Sequence, residues 1–350
     1  MIRGMSGEAP RILIVLFGAI GDVTRAVPLL ARLREACPGA HLAWAVEPAA
    51  APVLDGHPAL DERLLFERRH GIAGYARLLR ALRRGRFDVV LDLGRLLKTG
   101  IAAWATRAPR RIGFHRRNSR EGNWALQTEA IPPQAHYSSK LVQFQCFADH
   151  LGLPPAPVRF DLTLSEGEQA RAGALLADLP RPVVAFGLGS SCPSRRWFPD
   201  RTAAVARAAW EEHGASMVLL GTAADRPFAD AIRGHAAGPV RDLVGITTLR
   251  ELMAVLARSS LVVTPDSGTM HLGAALGVPV VSMWGATSAA RSAPYGSRAL
   301  TIEGSAPCAP CYLTKCRIGR MCMQTIEVDA VIARVDSVLS EARHTRVPGA

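Results

Sequence analysis

The chain has 350 residues, 49% of them hydrophobic and 21% charged, and a net charge of +12 at pH 7. That composition excludes a disordered or fibrous protein, and the length suits two domains that each bury a core of normal size. The positive balance points to anionic partners: nucleotide phosphates, a phosphorylated acceptor or an anionic membrane surface. Nucleic acid ranks last, because the chain has neither an aromatic-rich basic strand nor a DNA-binding motif.

The leader MIRGMSGEAPR is polar, and the apolar run after it, Ile12–Phe17, is too short for a signal-peptide core or a membrane span. No later stretch is long and apolar enough to cross a bilayer. The chain is therefore expected in the cytoplasm, where its seven cysteines need not form disulfides.

Ile12–Phe17 reads as a buried strand, GAIGD as a turn and Val23–Cys37 as a helix with Leu29, Leu30 and Leu33 on one face. Strand, glycine turn and helix open a βαβ unit. GAIGDV lacks the G-x-G-x-x-G spacing, so a dinucleotide-dependent oxidoreductase is disfavoured. Asp22 falls just past the strand's carboxyl end, where open parallel sheets gather their chemistry; a helix cap is the alternative. His41–Val46 and Phe87–Leu91 are further strands, the latter ending in Asp92, and Ile72–Arg84 has helical spacing with a basic exposed face. LGRLLKTG sets Arg95 and Lys98 just past a strand end. RRIGFHRRNSREGN, Arg110–Asn123, reads as a basic loop, either a solvated charge run or, through Arg116 and Arg117, a site for a phosphorylated or membrane-borne acceptor. His136–Leu151 looks helical, and the proline-rich LGLPPAPVRFDLTLSEGE after it is the best linker. We place the domains at 1–160 and 161–350 on this basis.

The second half repeats the plan. Pro182–Gly187 is a strand leading into LGSSCPSRRWF, and Asp200 is a candidate N-cap for a helix running to His213. Ser216–Gly221 and Val240–Val244 are strand-like, Leu249–Ala257 is a helix, and Val328–Arg343 is an amphipathic helix that could pack back on the first domain. Between these, LVVTPDSGTMHLGAALGVPVVSMWG reads as strand, turn, short helix and strand. The turn puts Asp266, Ser267 and Gly268 where free N–H groups and the helix dipole favour an anion, and His271 lies one turn on. An ordinary strand–helix joint, with Asp266 as cap and His271 as a core histidine, is the other reading. Alternating strands and helices on both sides of one linker give an α/β protein of two Rossmann-like domains.

These segments together resemble glycosyltransferase family 9, the ADP-heptose:lipopolysaccharide heptosyltransferases. PDSGTMHLGAALGVPVVSMWG is similar to the family's D-[ST]-G-x-x-H-[LI]-x-A-A motif, and ILIVLFGAIGDVTRAVPLLARLR to its opening G-D-x-x-x-x-x-P-x-L segment. FDVVLDLGRLLKTG, GSSCPSRRWFP and the cysteine-rich CAPCYLTKCRIGRMCM follow in the family's order. The resemblance implies a GT-B architecture, two Rossmann-like domains facing across a cleft, with the nucleotide sugar held mainly by the second. It implies Asp22 as general base, and Ser190, Ser191 and Arg195 gripping the diphosphate. Asp266, Ser267, Gly268 and His271 would form the donor turn, with backbone from Thr269 and Met270, and Lys98 would lie near the sugar or acceptor. The segment GATSAARSAPYG departs from the family's G-P-T-x-P-x-R-x-x-P: Ala286 and Ala289 stand at proline positions while Thr287, Arg291 and Pro294 match.

The residue types suit inverting transfer. One carboxylate, Asp22, would take the acceptor hydroxyl's proton as oxygen attacks the anomeric carbon. Arg195 or Arg196 and the helix after Asp266 would stabilise the departing diphosphate, so no metal or other cofactor is expected. Cys308 and Cys311 form one C-x-x-C, but Cys316 and Cys322 supply no second; zinc is the alternative, and a structural tail without metal the reading preferred. The expected activity is transfer of heptose from ADP-heptose to an anionic lipopolysaccharide-core acceptor by a peripheral protein on the cytoplasmic face of the inner membrane. Transfer of another nucleotide-activated sugar, another acceptor, or nucleotide-sugar binding without turnover are the alternatives.

Overall fold

The computed structural model describes residues 9–344, so the first eight residues of the polar leader lie outside it. The chain divides into two compact units at Thr163 and Leu164. Each is a six-stranded parallel sheet with helices on both faces.

In the first unit, β1 (Arg11–Val15), α1 (Ile20–Ala36), β2 (His41–Val46) and β3 (Glu62–Leu65) are followed by α2 (Gly71–Arg84), β4 (Val89–Asp92) and α3 (Leu97–Ala105). Then come β5 (Arg110–Gly113), β6 (Glu129–Ala130) and α4 (Lys140–His150). The strand order is β3-β2-β1-β4-β5-β6. The central β1 is flanked on both sides, Ile14 standing opposite Trp44 of β2 and Leu91 of β4. That position explains its uninterrupted apolar run, since a strand covered on both faces has no polar side to present. Leu13, Val15 and Phe17 pack with Leu78 and Leu82 of α2 and Ala102 and Ala103 of α3. The helices α1 and α4 pack on each other.

The second unit contains α5 (Glu166–Leu175), β7 (Val183–Gly187), α6 (Pro199–His213), β8 (Ser216–Leu220), α7 (Arg226–Arg233), β9 (Val240–Asp242) and α8 (Leu249–Ala257). It continues with β10 (Leu261–Pro265), α9 (Gly268–Ala275), β11 (Val280–Trp284), α10 (Ala289–Ser292), β12 (Thr301–Glu303), α11 (Met321–Gln324) and α12 (Val328–His344). The strand order is β12-β11-β10-β7-β8-β9. A capping box opens α5: the Ser165 side chain accepts from the Glu168 backbone and Glu168 reaches back. The last helix, α12, packs along α6 and on β10 and β11 of its own unit.

Several local expectations shift. Helix α1 starts at Ile20 rather than Val23, because Ala19 is already extended and its carbonyl accepts from the Asp22 N–H. Asp22 is thus inside the first turn and is not the cap. Asp200 is also inside its helix: Pro199 takes the first position, where its missing N–H costs nothing, and Phe198 is the N-cap. Helix α4 begins at Lys140, after an extended Ser139, instead of at His136. The segment read as a basic loop contains a strand, Arg110–Gly113, whose Ile112 is fully buried against β4.

Candidate functional sites in the two units

The carboxylate of Asp22 sits at the carboxyl end of the first sheet, in the first turn of α1, where the helix dipole favours negative charge. Arg25, one turn on, donates to its Oδ1, and the Lys140 Nζ reaches the same oxygen at 2.7 Å. Burial alone would push the Asp22 carboxyl up; the Lys140 and Arg25 charges and hydrogen bonds outweigh it and hold the group well below the ordinary carboxylate range. Asp22 is therefore ionised at any physiological pH, and its side chain keeps 26% exposure. Gly18 preserves the space around it, because a Cβ there would stand 3.3 Å from the Asp22 Cβ. Lys140 and Arg25 were missed by sequence reasoning. Arg25 is signalled by its spacing of three residues, whereas nothing local signals Lys140.

Asp92 ends the neighbouring strand and differs from Asp22 in burial and in its partners. It is fully buried. Its Oδ1 accepts from the Gly94 N–H at 2.9 Å, and its Oδ2 from Asn123 at 2.8 Å and Gln127 at 2.7 Å. Burial raises this carboxyl to about 7 against the hydrogen bonds from Asn123, Thr99, Gly94 and Gln127.

Lys98 is the second residue of α3. Its Nζ lies 3.6 Å from Glu47 and within 6 Å of two ring centroids, 5.7 Å from Phe17 and 5.9 Å from Phe66. Arg95 is committed elsewhere, over the Phe114 ring at 4.2 Å and donating to Gln143. Arg116 and Arg117 are exposed on the loop after β5.

In the second unit, β10 ends at Pro265 and Ser267 caps α9, its Oγ accepting from the Met270 N–H at 3.3 Å and contacting the Thr264 Oγ1 at 2.9 Å. The cap is therefore Ser267 and not Asp266. That leaves the Asp266 carboxylate for side chains: its Oδ2 receives the Thr287 hydroxyl at 2.7 Å and the Arg195 guanidinium at 2.9 Å. Ser190 donates to the Asp266 carbonyl at 3.0 Å. One aspartate thus ties together the loop after β7, the turn after β10 and the loop after β11. It holds Arg195 and Thr287 in place beside the α9 N-terminus. Gly268 and Thr269 are partly exposed at that terminus, while Met270 and His271 are buried behind it.

Arg196 is turned away from this group, paired with the buried Asp225 at 2.6 Å. Asp225 also accepts from the Thr222 N–H and hydroxyl, both at 2.9 Å. A Cβ on Gly189 would stand 2.8 Å from an Asp225 oxygen, so glycine is required for this approach. Ser191 is exposed at the loop tip. Arg196 and Asp225 brace the loop that carries Ser190, Ser191 and Arg195. The cysteine-rich tail braces it from the other side: Arg320 donates to the Arg196 carbonyl at 2.8 Å, and the Ser194 N–H donates to the Thr314 carbonyl at 3.1 Å. The Tyr312 N–H donates to the Ala286 carbonyl at 2.7 Å, next to Thr287. All seven cysteines are free thiols. Asp225 and Arg320 were also invisible to sequence reasoning, since their partners are remote in the chain.

Two Rossmann-like units, each a six-stranded parallel sheet, are the architecture of the GT-B glycosyltransferases. The sequence profile described as "Glycosyltransferase family 9 (heptosyltransferase)" matches residues 75–321, and the chain belongs to that family. A lipopolysaccharide core heptosyltransferase, OpsX, of Haemophilus influenzae is 26% identical over 295 residues, covering 83% of each chain. The glycosyl transferase family 9 structure from Veillonella parvula superposes with a TM-score of 0.84 at 22% identity, covering 95% of this chain and 98% of that one. The E. coli ADP-heptose lps heptosyltransferase II superposes with a TM-score of 0.75 at 22% identity, covering 95% and 99%.

Proposed function

We propose that this glycosyltransferase moves heptose from ADP-heptose to a lipopolysaccharide inner-core acceptor with inversion, acting peripherally at the cytoplasmic face of the inner membrane. The donor and acceptor named for its relatives, OpsX and the E. coli enzyme, support this choice. In this reading Asp22 accepts the proton of the acceptor hydroxyl as that oxygen bonds to the anomeric carbon and the bond to the nucleotide diphosphate breaks. The leaving diphosphate takes its electron pair against Arg195, the exposed Ser191 hydroxyl and the N–H groups at Gly268 and Thr269. Ser190 and Thr287, whose hydroxyl protons go to Asp266, hold the surrounding loops in place. Lys98, Arg116 and Arg117 serve the acceptor side. Asp92 is not the base, although its raised carboxyl would suit proton transfer near neutrality. It is fully buried and both its oxygens are engaged.

The observation that carries the donor half is the double grip of Asp266 on Arg195 and Thr287. Calorimetric titration with ADP, GDP and UDP tests it. ADP is expected to bind in preference, and Asp266→Ala to weaken it by at least about tenfold, since two charge-assisted contacts lose their anchor. Preference for UDP or GDP would overturn the ADP-heptose assignment. An Asp266→Ala chain that binds ADP normally would remove the cradle.

A further inference from the structure

We infer that the outer face of α2, with the turn that precedes it, is the surface by which the protein docks on an anionic lipid bilayer. Between Arg68 and Phe87 the sequence has seven arginines and no aspartate or glutamate. Their placement follows the helix period. Gly74, Leu78 and Leu82 face the sheet and are buried. Arg77, Arg80 and Arg84 recur at three- to four-residue steps on the other side, Arg69 stands in the turn before the helix, and all four are exposed. Glu67 is the acid that meets this face, with Arg77 at 3.0 Å and Arg69 at 4.0 Å. The remaining charge is turned to solvent.

A basic stripe alone would suit any polyanion; the apolar residues at its head select a bilayer. Ile72, in the first turn of α2, is 90% exposed, and Leu65, at the end of β3, is 47% exposed. Exposing a β-branched hydrophobe this fully, beside arginines and with no polar task, is costly in water and favourable at a lipid interface. The apolar face of α2 is taken up by the sheet, so the contact with lipid rests on the arginines of its outer face and on Ile72 at its head. Position matters as well. In a parallel sheet the helix N-terminus lies at the carboxyl edge of the strands, the edge that also carries Asp22. The strands β3 and β1 are two spacings apart, about 10 Å in the plane of the sheet. A bilayer seated on Ile72 and the arginine stripe would lie next to the edge at which a lipid-borne acceptor must present its hydroxyl. The inference rests on the proposed lipid acceptor for its choice of a bilayer over a soluble polyanion.

Co-sedimentation of the full chain with phosphatidylcholine vesicles, with and without phosphatidylglycerol, tests this. Binding is expected only with the anionic lipid and should weaken as salt rises, because the Debye length falls. Arg77→Glu/Arg80→Glu/Arg84→Glu should lower the partition coefficient about a hundredfold, each arginine near the surface contributing about fivefold. Ile72→Asp, which alters no arginine, should lower it about tenfold. The control Arg207→Glu/Arg298→Glu/Arg334→Glu makes the same change in net charge on exposed positions of the second unit and should bind like the natural chain. Equal loss in the two triple variants would overturn the surface, as would binding to phosphatidylcholine alone or none to either vesicle. ADP binding, measured on every variant, should be unchanged. A natural chain that holds vesicles through α2 yet binds no ADP would leave this surface standing and sink the donor reading instead.

Discussion

Asp22 and Asp92 lie at the carboxyl ends of adjacent, paired strands of one sheet, yet their surroundings drive their carboxyls in opposite directions. Asp22 is in the first turn of the helix that follows β1, and Asp92 is the last residue of β4, opposite Val15. Asp92 is fully removed from water, and Asp22 is partly so. Asp22 meets two cations, Arg25 and Lys140, and stays ionised. Asp92 meets neutral donors, from Gly94, Thr99, Asn123 and Gln127, and burial prevails. Neutral hydrogen bonds orient a carboxylate, but they do not supply the countercharge that keeps it ionised in a low-dielectric site. A base must be ionised and within reach, and of the two only Asp22 has both properties. The Asp92 network instead fastens the Asn123–Leu126 turn to the strand end.

The contrast is broken most severely by exchanging each carboxylate for its amide. Asp22→Asn keeps the shape and the oxygen that faces Lys140 but cannot accept the acceptor's proton. Its kcat is expected to fall about a hundred- to ten-thousandfold with ADP affinity unchanged, as measured by ADP release and calorimetry. If Asp92→Asn instead gave that loss, the assignment of the base would be reversed.

Asp92→Asn should show itself in stability. Either orientation of the amide sets its NH2 against a donor that the carboxylate satisfied, leaving a buried group unpaired at a cost of about 1–3 kcal/mol in urea unfolding. The folded fraction should keep its kcat. The pH signature is also distinctive. The Asp92 carboxyl is raised from its ordinary 3.8 to about 7 in the folded chain, so the stability it contributes is complete below pH 3.8 and is lost as pH rises through about 7. Asp22 has the reverse sign: its contribution is present above its ordinary value and is lost in acid, as pH falls through its depressed folded value. Unfolding free energies of the natural chain at pH 5 and pH 8 should therefore differ in a component that Asp92→Asn removes and Asp22→Asn does not.

The two halves of this contrast were unequally legible in the sequence. Buried central strands such as Ile12–Val15 and Leu261–Thr264 announce themselves by unbroken apolar runs, and Asp22 and Asp266 by their places after those runs. Glu62–Leu65, Glu129–Ala130 and Thr301–Glu303 are short, outermost in their sheets and partly polar, so they carry no such pattern. What decides the chemistry of each aspartate was less legible still. Lys140 lies 118 residues from Asp22, and Asn123 lies 31 from Asp92. Arg195 and Arg196 are adjacent and alike in sequence, but the structure pairs the first with Asp266 and the second with Asp225. Side-chain pairing across loops is set by tertiary approach, and no local period encodes it.

The smallest expected effect isolates the countercharge itself. Lys140→Met removes one of the two cations on Asp22 while preserving most of the side-chain volume, and Arg25 remains. The Asp22 carboxyl should then rise toward its ordinary range, because burial still opposes ionisation and one attraction is gone. At neutral pH the group stays ionised, so kcat should change by less than about tenfold, far less than in Asp22→Asn. The informative quantity is the acidic limb of kcat against pH, where protonated Asp22 can no longer act as base. That limb should move to higher pH in Lys140→Met and return in Lys140→Arg, with KM for the donor unchanged throughout. A purely structural lysine would lower activity equally at all pH values. An unmoved limb would show that the charge on Asp22 is governed by Arg25 alone.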